Sequence, residues 1–489
     1  MFTSHVEANF LRCCLSRLSR LSGRHHPCRA TLPQLPAVFC AIGTPLRWLD
    51  SALLAALLAA LITALVGPLS AQAQATLSLE QALALAQQRS RQLVAQDALA
   101  SSSQQMAMAA SQLPDPTFKL GINNLPVTGP DRYSVTSDFM TMRSVGVAQE
   151  FTREEKRKAR ASRFDREAGV AQAGRAALLA NLRRDTAMAW LDRHYLERML
   201  ELLKTQRNET ALQTDAADAA YRGGRGTQAD VFAARSAVAQ IDDRIRQQER
   251  QITVATTKLA RWVGDAGSQP LAAPPSLAAV HLQTHGLDQQ LAHHPQIALM
   301  ETQEAVARAE VDIAQTNKQS DWSLELMYSQ RGSAYSNMIS LNASIPLQWD
   351  QKNRQDREVA AKLLIAEQLQ AQREEALREH VAEAQTWLQE WQGNQQRLAH
   401  YDSTLIPLAT ERTRAALAGY RGGGGSTLAA VLEARRMEID TRMDRLRLEM
   451  ETATRWAQLE HLLAPEPEAS AKDPVAKTPP SNRATETSK

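Results

Sequence analysis

The chain has 489 residues, 44% of them hydrophobic, 22% charged and only 5% aromatic, with a formal charge of +3. Six of its 56 basic residues (Arg12, Arg17, Arg20, Arg24, Arg29 and Arg47) but only two of its 53 acidic ones (Glu7 and Asp50) fall in residues 1–75, so the remainder is balanced at 50 against 51. That balance removes the electrostatic case for nucleic-acid binding. Cys13, Cys14, Cys28 and Cys40 all lie in the same N-terminal stretch, which excludes disulfides and thiolate metal ligands from the rest of the chain.

Leu53 to Val66 is an apolar run after Arg47, closed by Gly67-Pro68 and the small-residue stretch to Ala75. It reads as a secretory signal with cleavage after Ala71, Ala73 or Ala75. Its 14 residues, all apolar but Thr63, fall short of the roughly 20 that a spanning helix needs. The 46 residues ahead of Arg47 are long for a signal n-region, so the start of translation is expected downstream of Met1. With no cysteine at the cleavage site, no lipid anchor is expected there.

From Thr76 onward the chain alternates short strand signals with very long helical ones. Phe118, Leu120 and Ile122 alternate with Lys119, Gly121 and Asn123, and Val145 and Val147 with Gly146 and Ala148, the period of two that marks a strand. Thr152 to Arg222 then runs without proline in Ala, Arg, Leu, Glu and Gln, a helix of about 100 Å at 1.5 Å per residue. No ordinary globular core needs such a helix. In the second half Leu324, Leu326 and Tyr328, then Ile339, Leu341, Ala343 and Ile345, repeat the strand alternation. Leu377, Ala384, Trp391, Leu398 and Leu405 recur every seven residues, with Val381 and Leu388 between them, as in a coiled-coil seam; Gln395 and Asp402 interrupt the second stripe. The stretch after Leu463 is rich in Pro, Ala, Ser, Thr and Lys, the composition of a disordered tail.

These halves are copies of each other at a spacing near 200 residues. Ala220-Tyr-Arg-Gly-Gly-Arg-Gly-Thr-Gln-Ala-Asp-Val231 is echoed by Gly419-Tyr-Arg-Gly-Gly-Gly-Gly-Ser-Thr-Leu-Ala-Ala-Val431 with one residue inserted, and Asp115 to Ile122 by Asp321 to Tyr328. The chain therefore divides into a leader (1–75), a first repeat (76–270), a second repeat (281–464) and a tail (465–489). The glycine runs break continuous helical patterns and so reverse the chain between antiparallel helices. Thr227 and Ser426 follow them at expected N-cap positions. A phosphate-cradling loop is excluded by the missing Gly-Lys-Ser/Thr ending and preceding strand.

Two hairpins per chain give four strands, too few to close a barrel, while sheet in contact with lipid must be closed. Two copies would supply eight strands and three would supply twelve. Residues His281, His285, His293 and His294, and Met140 with Met142, have metal-binding side chains, but ordinary packing explains each, and no metal or cofactor is expected. No His sits in a motif with Ser, Cys or paired carboxylates, so the chain is not expected to be an enzyme.

The chain resembles the TolC-type outer membrane efflux proteins through Thr76-Leu-Ser-Leu-Glu-Gln-Ala-Leu83, the strand pair ending at Gln149-Glu-Phe151, the Tyr-Arg-x-Gly turns and Val431-Leu-Glu-Ala-Arg435. Asn124 to Tyr133 and Asp138 to Arg143 are similar to the heavy-metal branch, which handles cobalt, zinc and cadmium or copper and silver. The resemblance implies a mainly α protein with a β-barrel part: a homotrimer whose twelve strands close in the outer membrane lipid of a Gram-negative cell and whose twelve helices form a periplasmic tunnel. It implies a membrane-fusion adaptor and an inner-membrane pump of the resistance-nodulation-division type as partners in a tripartite system. The adaptor would meet the helix tips at Tyr221, Arg222, Gly224 and Thr227 in the first repeat and Tyr420, Arg421, Gly423 and Ser426 in the second. In a trimer Asp230 and Glu433 would form acidic rings near the tips, favouring cations. The rival reading is a trimeric surface or periplasmic coiled-coil protein such as an adhesin, which would concentrate its strands at one chain end.

Overall fold

The computed structural model describes residues 76–282, 285–422 and 425–463. The expected leader, Gly423 and the expected tail lie outside these residues. In the first repeat, α1 (Leu79–Arg89) and α2 (Arg91–Ala110) lead into the hairpin β1 (Thr117–Asn123) and β2 (Met142–Phe151), followed by α3 (Glu154–Arg222) and α4 (Gln228–Val263). The second repeat runs α5 (Leu287–Leu291), α6 (Pro295–Thr316), β3 (Trp322–Gln330), β4 (Met338–Ser344), α7 (Gln355–His400), a π-helical turn (Tyr401–Leu405), α8 (Ile406–Arg421) and α9 (Leu428–Glu460). The duplication in the sequence is therefore a duplication of architecture, α7 with α8 standing where α3 stands alone.

Helix α3 has 69 residues without a break, about 100 Å from sheet to tip. Glu154 and Glu155 in its first turn and Arg222 in its last complement the helix dipole. Its counterpart is interrupted. The π-turn lies two residues before Pro407, whose ring removes a backbone donor and crowds the preceding turn. Asp402 in that turn is held by Arg445 of α9 through two bonds, Nε to Oδ1 at 2.6 Å and an Nη to Oδ2 at 3.1 Å.

The main core lies partway along the helices. Trp190, Leu191 and Tyr195 of α3, Ala384, Leu388 and Trp391 of α7, and Ala453, Trp456 and Ala457 of α9 bury one another beside Leu79 and Leu83 of α1. The expected seam is thus packed from Leu377 to Trp391, whereas Leu398 and Leu405, only half-buried, lie outside this core. Gln395 interrupts it because its amide donates to the Leu277 carbonyl (3.1 Å), fastening the segment between the repeats. Trp456 fastens the same segment through the Ala279 carbonyl (3.0 Å), and Trp190, fully buried, donates to the Leu77 carbonyl (3.1 Å). Leu77 in turn pairs with the segment at Leu271, its N–H donating to the Pro270 carbonyl (2.8 Å).

Both hairpins merge into one antiparallel sheet in the order β1-β2-β3-β4. The β2–β3 junction joins the repeats, with Val145 opposite Tyr328 and Val147 opposite Leu326. Gly146 makes the close approach possible: a Cβ there would stand 2.8 Å from the Leu326 carbonyl oxygen. At the foot of the sheet, the nearly buried Lys156 of α3 reaches Asp321 at 2.6 Å, and the Arg153 N–H donates to the same carboxylate. Burial works to raise the Asp321 pKa, but Lys156 and this backbone donor outweigh it and hold the carboxyl below its ordinary value.

Candidate functional site

Two regions carry the chemistry expected from the sequence, the sheet and the helix tips. In the sheet, cross-strand register builds two unlike faces. Phe118, Val147, Leu326 and Leu341 form one row and Leu120, Val145, Tyr328 and Ile339 the next, all on one face. This face is bare: Leu120 is 75% exposed and Ile339 74%. Leaving such side chains in water forfeits roughly 1.5–3 kcal/mol each. The opposite face carries Lys119, Gly121, Ser144, Gly146, Ser329, Ser340 and Asn342, mostly polar or small, with Met142, Met327 and Met338 among them. There Lys119 reaches across β2 to Glu325 at 3.0 Å, and Asn123 donates to the Ser144 hydroxyl at 3.0 Å. An apolar outer face and a polar inner one is the dyad pattern of a membrane barrel.

The dimensions agree. Ten residues of β2 span about 33 Å along the strand, and a tilt of about 40° brings this close to the ~25 Å apolar band of an outer membrane. Aromatics mark both borders: Phe151 stacks on Trp322 at 4.2 Å at the helical end, and Phe139 lies 6.5 Å from Tyr335 between the outer loops. The 124–141 and 331–337 loops are tied together by Arg331, whose guanidinium donates to the Phe139 carbonyl (3.4 Å). Among the described residues strands β1 and β4 leave one edge each without a partner strand. Unpaired edges cannot face hydrocarbon, because their N–H and C=O groups would have no partner.

At the other end of α3, the first tip is a Schellman turn: the Arg225 N–H donates to the Ala220 carbonyl (2.9 Å) and the Gly224 N–H to that of Tyr221 (3.0 Å). Gly224 has φ +68°, a left-handed backbone that glycine adopts without a Cβ clash. Thr227 caps α4 as expected. Its hydroxyl accepts from the Asp230 N–H (3.1 Å) and the Asp230 carboxylate accepts from the Thr227 N–H (2.9 Å), a reciprocal capping box. Those bonds from Thr227 hold the Asp230 carboxyl below its ordinary pKa, so Asp230 is both a charge and a clasp.

The second tip differs in one respect from expectation. Thr427, not Ser426, caps α9, its hydroxyl accepting from the Ala430 N–H at 3.2 Å. The inserted residue moves the cap one place, and Ala430 stands where Asp230 stood, so no capping box forms. Glu433 is exposed, facing Arg436 at 4.0 Å, and is not the structural counterpart of Asp230. Tyr221, Arg222 and Arg421 lie on the surface. Tyr420 instead packs on the cluster of Ala217, Val231, Ala234 and Leu428, which brings the two tips side by side. Above them Arg435 joins Glu209 (2.8 Å) and Arg244 joins Asp440 (2.8 Å), tying the repeats together.

The histidines do not converge. His281 bonds Glu460 at 2.6 Å, while His294 caps α6 and lies 4.5 Å from the His380 ring. Among the described residues no group of three or more His, Cys, Asp or Glu side chains is placed to hold a metal ion. Met140 sits in the exposed outer loop and Met142 at the start of β2. Among the described residues no helix is long and apolar enough to cross a membrane. Sequence reasoning missed the Lys119–Glu325 and Lys156–Asp321 pairs, because each joins positions more than 160 residues apart.

These features define a duplicated helix-and-sheet chain whose four-stranded sheet is open at both edges among the described residues. Solved structures of the same design are outer-membrane channels. The chain aligns with the outer-membrane channel OprN at 16% identity and a TM-score of 0.65, covering 79% of this chain and 90% of that one. It aligns with the outer membrane protein VceC from Vibrio cholerae at 17% identity and 0.63, over 78% and 95% of the two chains. The CmeC outer membrane channel of Campylobacter jejuni gives 11% and 0.65, over 78% and 85%. No family model and no curated protein matches the chain by sequence. The fold is that of these solved outer-membrane channels: long helices joined to a β part.

Proposed function

We propose that the protein is the outer-membrane exit duct of a tripartite efflux system, a passive homotrimer closed by twelve strands and continued by a helical tunnel in the periplasm. The observation that carries this reading is the four-stranded sheet, apolar on one face, polar on the other and open at both edges, at the end of helices about 100 Å long. The two repeats are the units 76–270 and 281–464. The helix tips meet the hairpins of a periplasmic adaptor through Tyr221, Arg222, Gly224, Thr227, Arg421 and Ser426, and the adaptor connects to an inner-membrane pump of the resistance-nodulation-division type. Asp230 and Glu433 give the tip end a negative rim that favours cations.

The cargo we propose is metal ions (copper and silver or cobalt, zinc and cadmium) or drugs, with metals favoured by the resemblance of Asn124 to Tyr133 and Asp138 to Arg143 to the heavy-metal branch. Membrane fractionation tests the duct: the chain is expected only in detergent extracts of outer membrane, and recovery in the soluble periplasmic fraction overturns the reading. Deleting the gene should raise cell-associated metal under metal stress. Unchanged metal content with raised retention of organic drugs moves the cargo assignment to drugs.

A further inference from the structure

On the apolar face of the sheet one cation is left without a partner. Arg143 is the second residue of β2, opposite Ile122 on β1 and Gln330 on β3. Side chains alternate along a strand, so Arg143 shares its face with Val145 and Val147 and stands one row, about 7 Å, beyond the Val145–Tyr328 pair toward the outer loops. Its Nε is shielded from solvent yet has no hydrogen-bond partner, and no carboxylate pairs with it among the described residues. The other cations near this end are occupied: Arg331 donates to the Ser336 and Phe139 carbonyls, and Arg132 lies over the Tyr133 ring. Diagonal to Arg143 on the same face, Tyr328 is 43% exposed, and Gln330 is exposed beside it. Neither side chain has a hydrogen-bond partner among the described residues. Three side chains with unused donors thus share the outer end of the apolar face at adjacent register positions.

We propose that Arg143, Tyr328 and Gln330 bind the phosphate of a phosphorylated glycolipid of the outer leaflet. Chemistry and position agree. The acyl chains of such a lipid cover the Leu120–Val145–Tyr328–Ile339 row while its sugar phosphate lies at the height of the guanidinium, whose planar fork matches phosphate oxygens. An unpaired arginine at this level of a lipid-facing sheet is stable only when it reaches an interfacial anion or water. Strands β2 and β3 are the central pair, so the site stays open when β1 and β4 join neighbouring copies.

The inference rests on the outer-membrane reading above. Its test is native mass spectrometry of the full-length protein purified in detergent and titrated with a bisphosphorylated lipid A-type glycolipid, the same lipid enzymatically dephosphorylated, and phosphatidylglycerol. The wild-type protein is expected to hold the phosphorylated glycolipid about tenfold more tightly than the dephosphorylated form, the scale of one charge-assisted hydrogen bond. Arg143→Gln should abolish that preference, Arg143→Lys should keep part of it, and Tyr328→Phe should reduce it. Equal affinity of the wild type for the two glycolipids overturns the proposal whether or not the variants fold. Equal or tighter binding of phosphatidylglycerol overturns the assignment to glycolipid. A protein that enters lipid bilayers and conducts ions yet shows no phosphate preference contradicts this inference alone; one that never leaves the aqueous phase contradicts the outer-membrane reading as well.

Discussion

Thr227 and Thr427 set the register of the two tips, and their hydroxyls can be tested singly. Thr227→Ala and Thr427→Ala should each cost about 1 kcal/mol and speed amide exchange in the first turn of α4 or α9. Ser426→Ala should leave exchange unchanged, and protection lost there instead would restore Ser426 as the cap. The expected cap, Ser426, follows from its place directly after the second glycine run, but the inserted residue shifts the cap to Thr427. Only the backbone geometry, with Thr427 extended at φ −88° and ψ 158°, makes the choice.

The buried titratable groups predict a defined acid response. Burial first, then the neighbouring His380 and Arg184, pushes His294 down to about 4 from 6.5. Burial and Arg183 push His461 down to about 4 as well, against the opposing Glu460. Each is neutral in the fold and binds a proton more readily once unfolded. Stability is therefore full above about pH 6.5 and falls as the pH drops toward 4. Asp321 has the opposite chemistry and the same direction: its lowered pKa stabilises the fold above its ordinary value of 3.8 and is lost on further acidification. The thermal midpoint should thus decline in two stages, and replacing His294 and His461 with Gln should flatten the first. A midpoint insensitive to pH between 6.5 and 4 would contradict the assignment. Asp321→Asn leaves the nearly buried Lys156 uncompensated and should cost about 3–5 kcal/mol in chemical denaturation.

At the scale of elements, strands and long helices were legible because each has a period of its own, two in Leu324–Tyr328 and seven in Leu377–Leu405. Their partners were not. Pairing of Val145 with Tyr328 depends on Gly146 admitting the Leu326 carbonyl, a contact between repeats. The irregular positions make sense only in three dimensions: Gln395 serves the Leu277 carbonyl and Asp402 serves Arg445. Gly146→Val forces a Cβ and more into a space of 2.8 Å and should part β2 from β3. The expected result is loss of an SDS-resistant oligomer while the helical circular dichroism persists; an intact oligomer would show that the sheet tolerates the wider spacing. At the tips the reversal itself was legible in the glycine runs after Tyr-Arg, whereas the cap at Thr427 and the packing of Tyr420 on Ala217 and Leu428 were not.

For the whole molecule, the duplication explains why one chain carries two hairpins and two sets of long helices. Each repeat contributes a hairpin and a pair of long helices, and the core of Trp190, Trp391 and Trp456 locks the repeats into one protomer. That core leaves the apolar sheet face and both sheet edges unsatisfied, so the unfinished part of the fold is the part assigned to the membrane. The absence of cysteine after Cys40 provides a clean background for the decisive measurement. One cysteine placed on the free edge of β1 and one on the free edge of β4, scanned through the seven positions of each strand, should give a disulfide-linked ladder in outer membranes that stops at three chains. A ladder that stops at two, continues without limit or never forms would contradict the closed twelve-stranded barrel and the duct built on it.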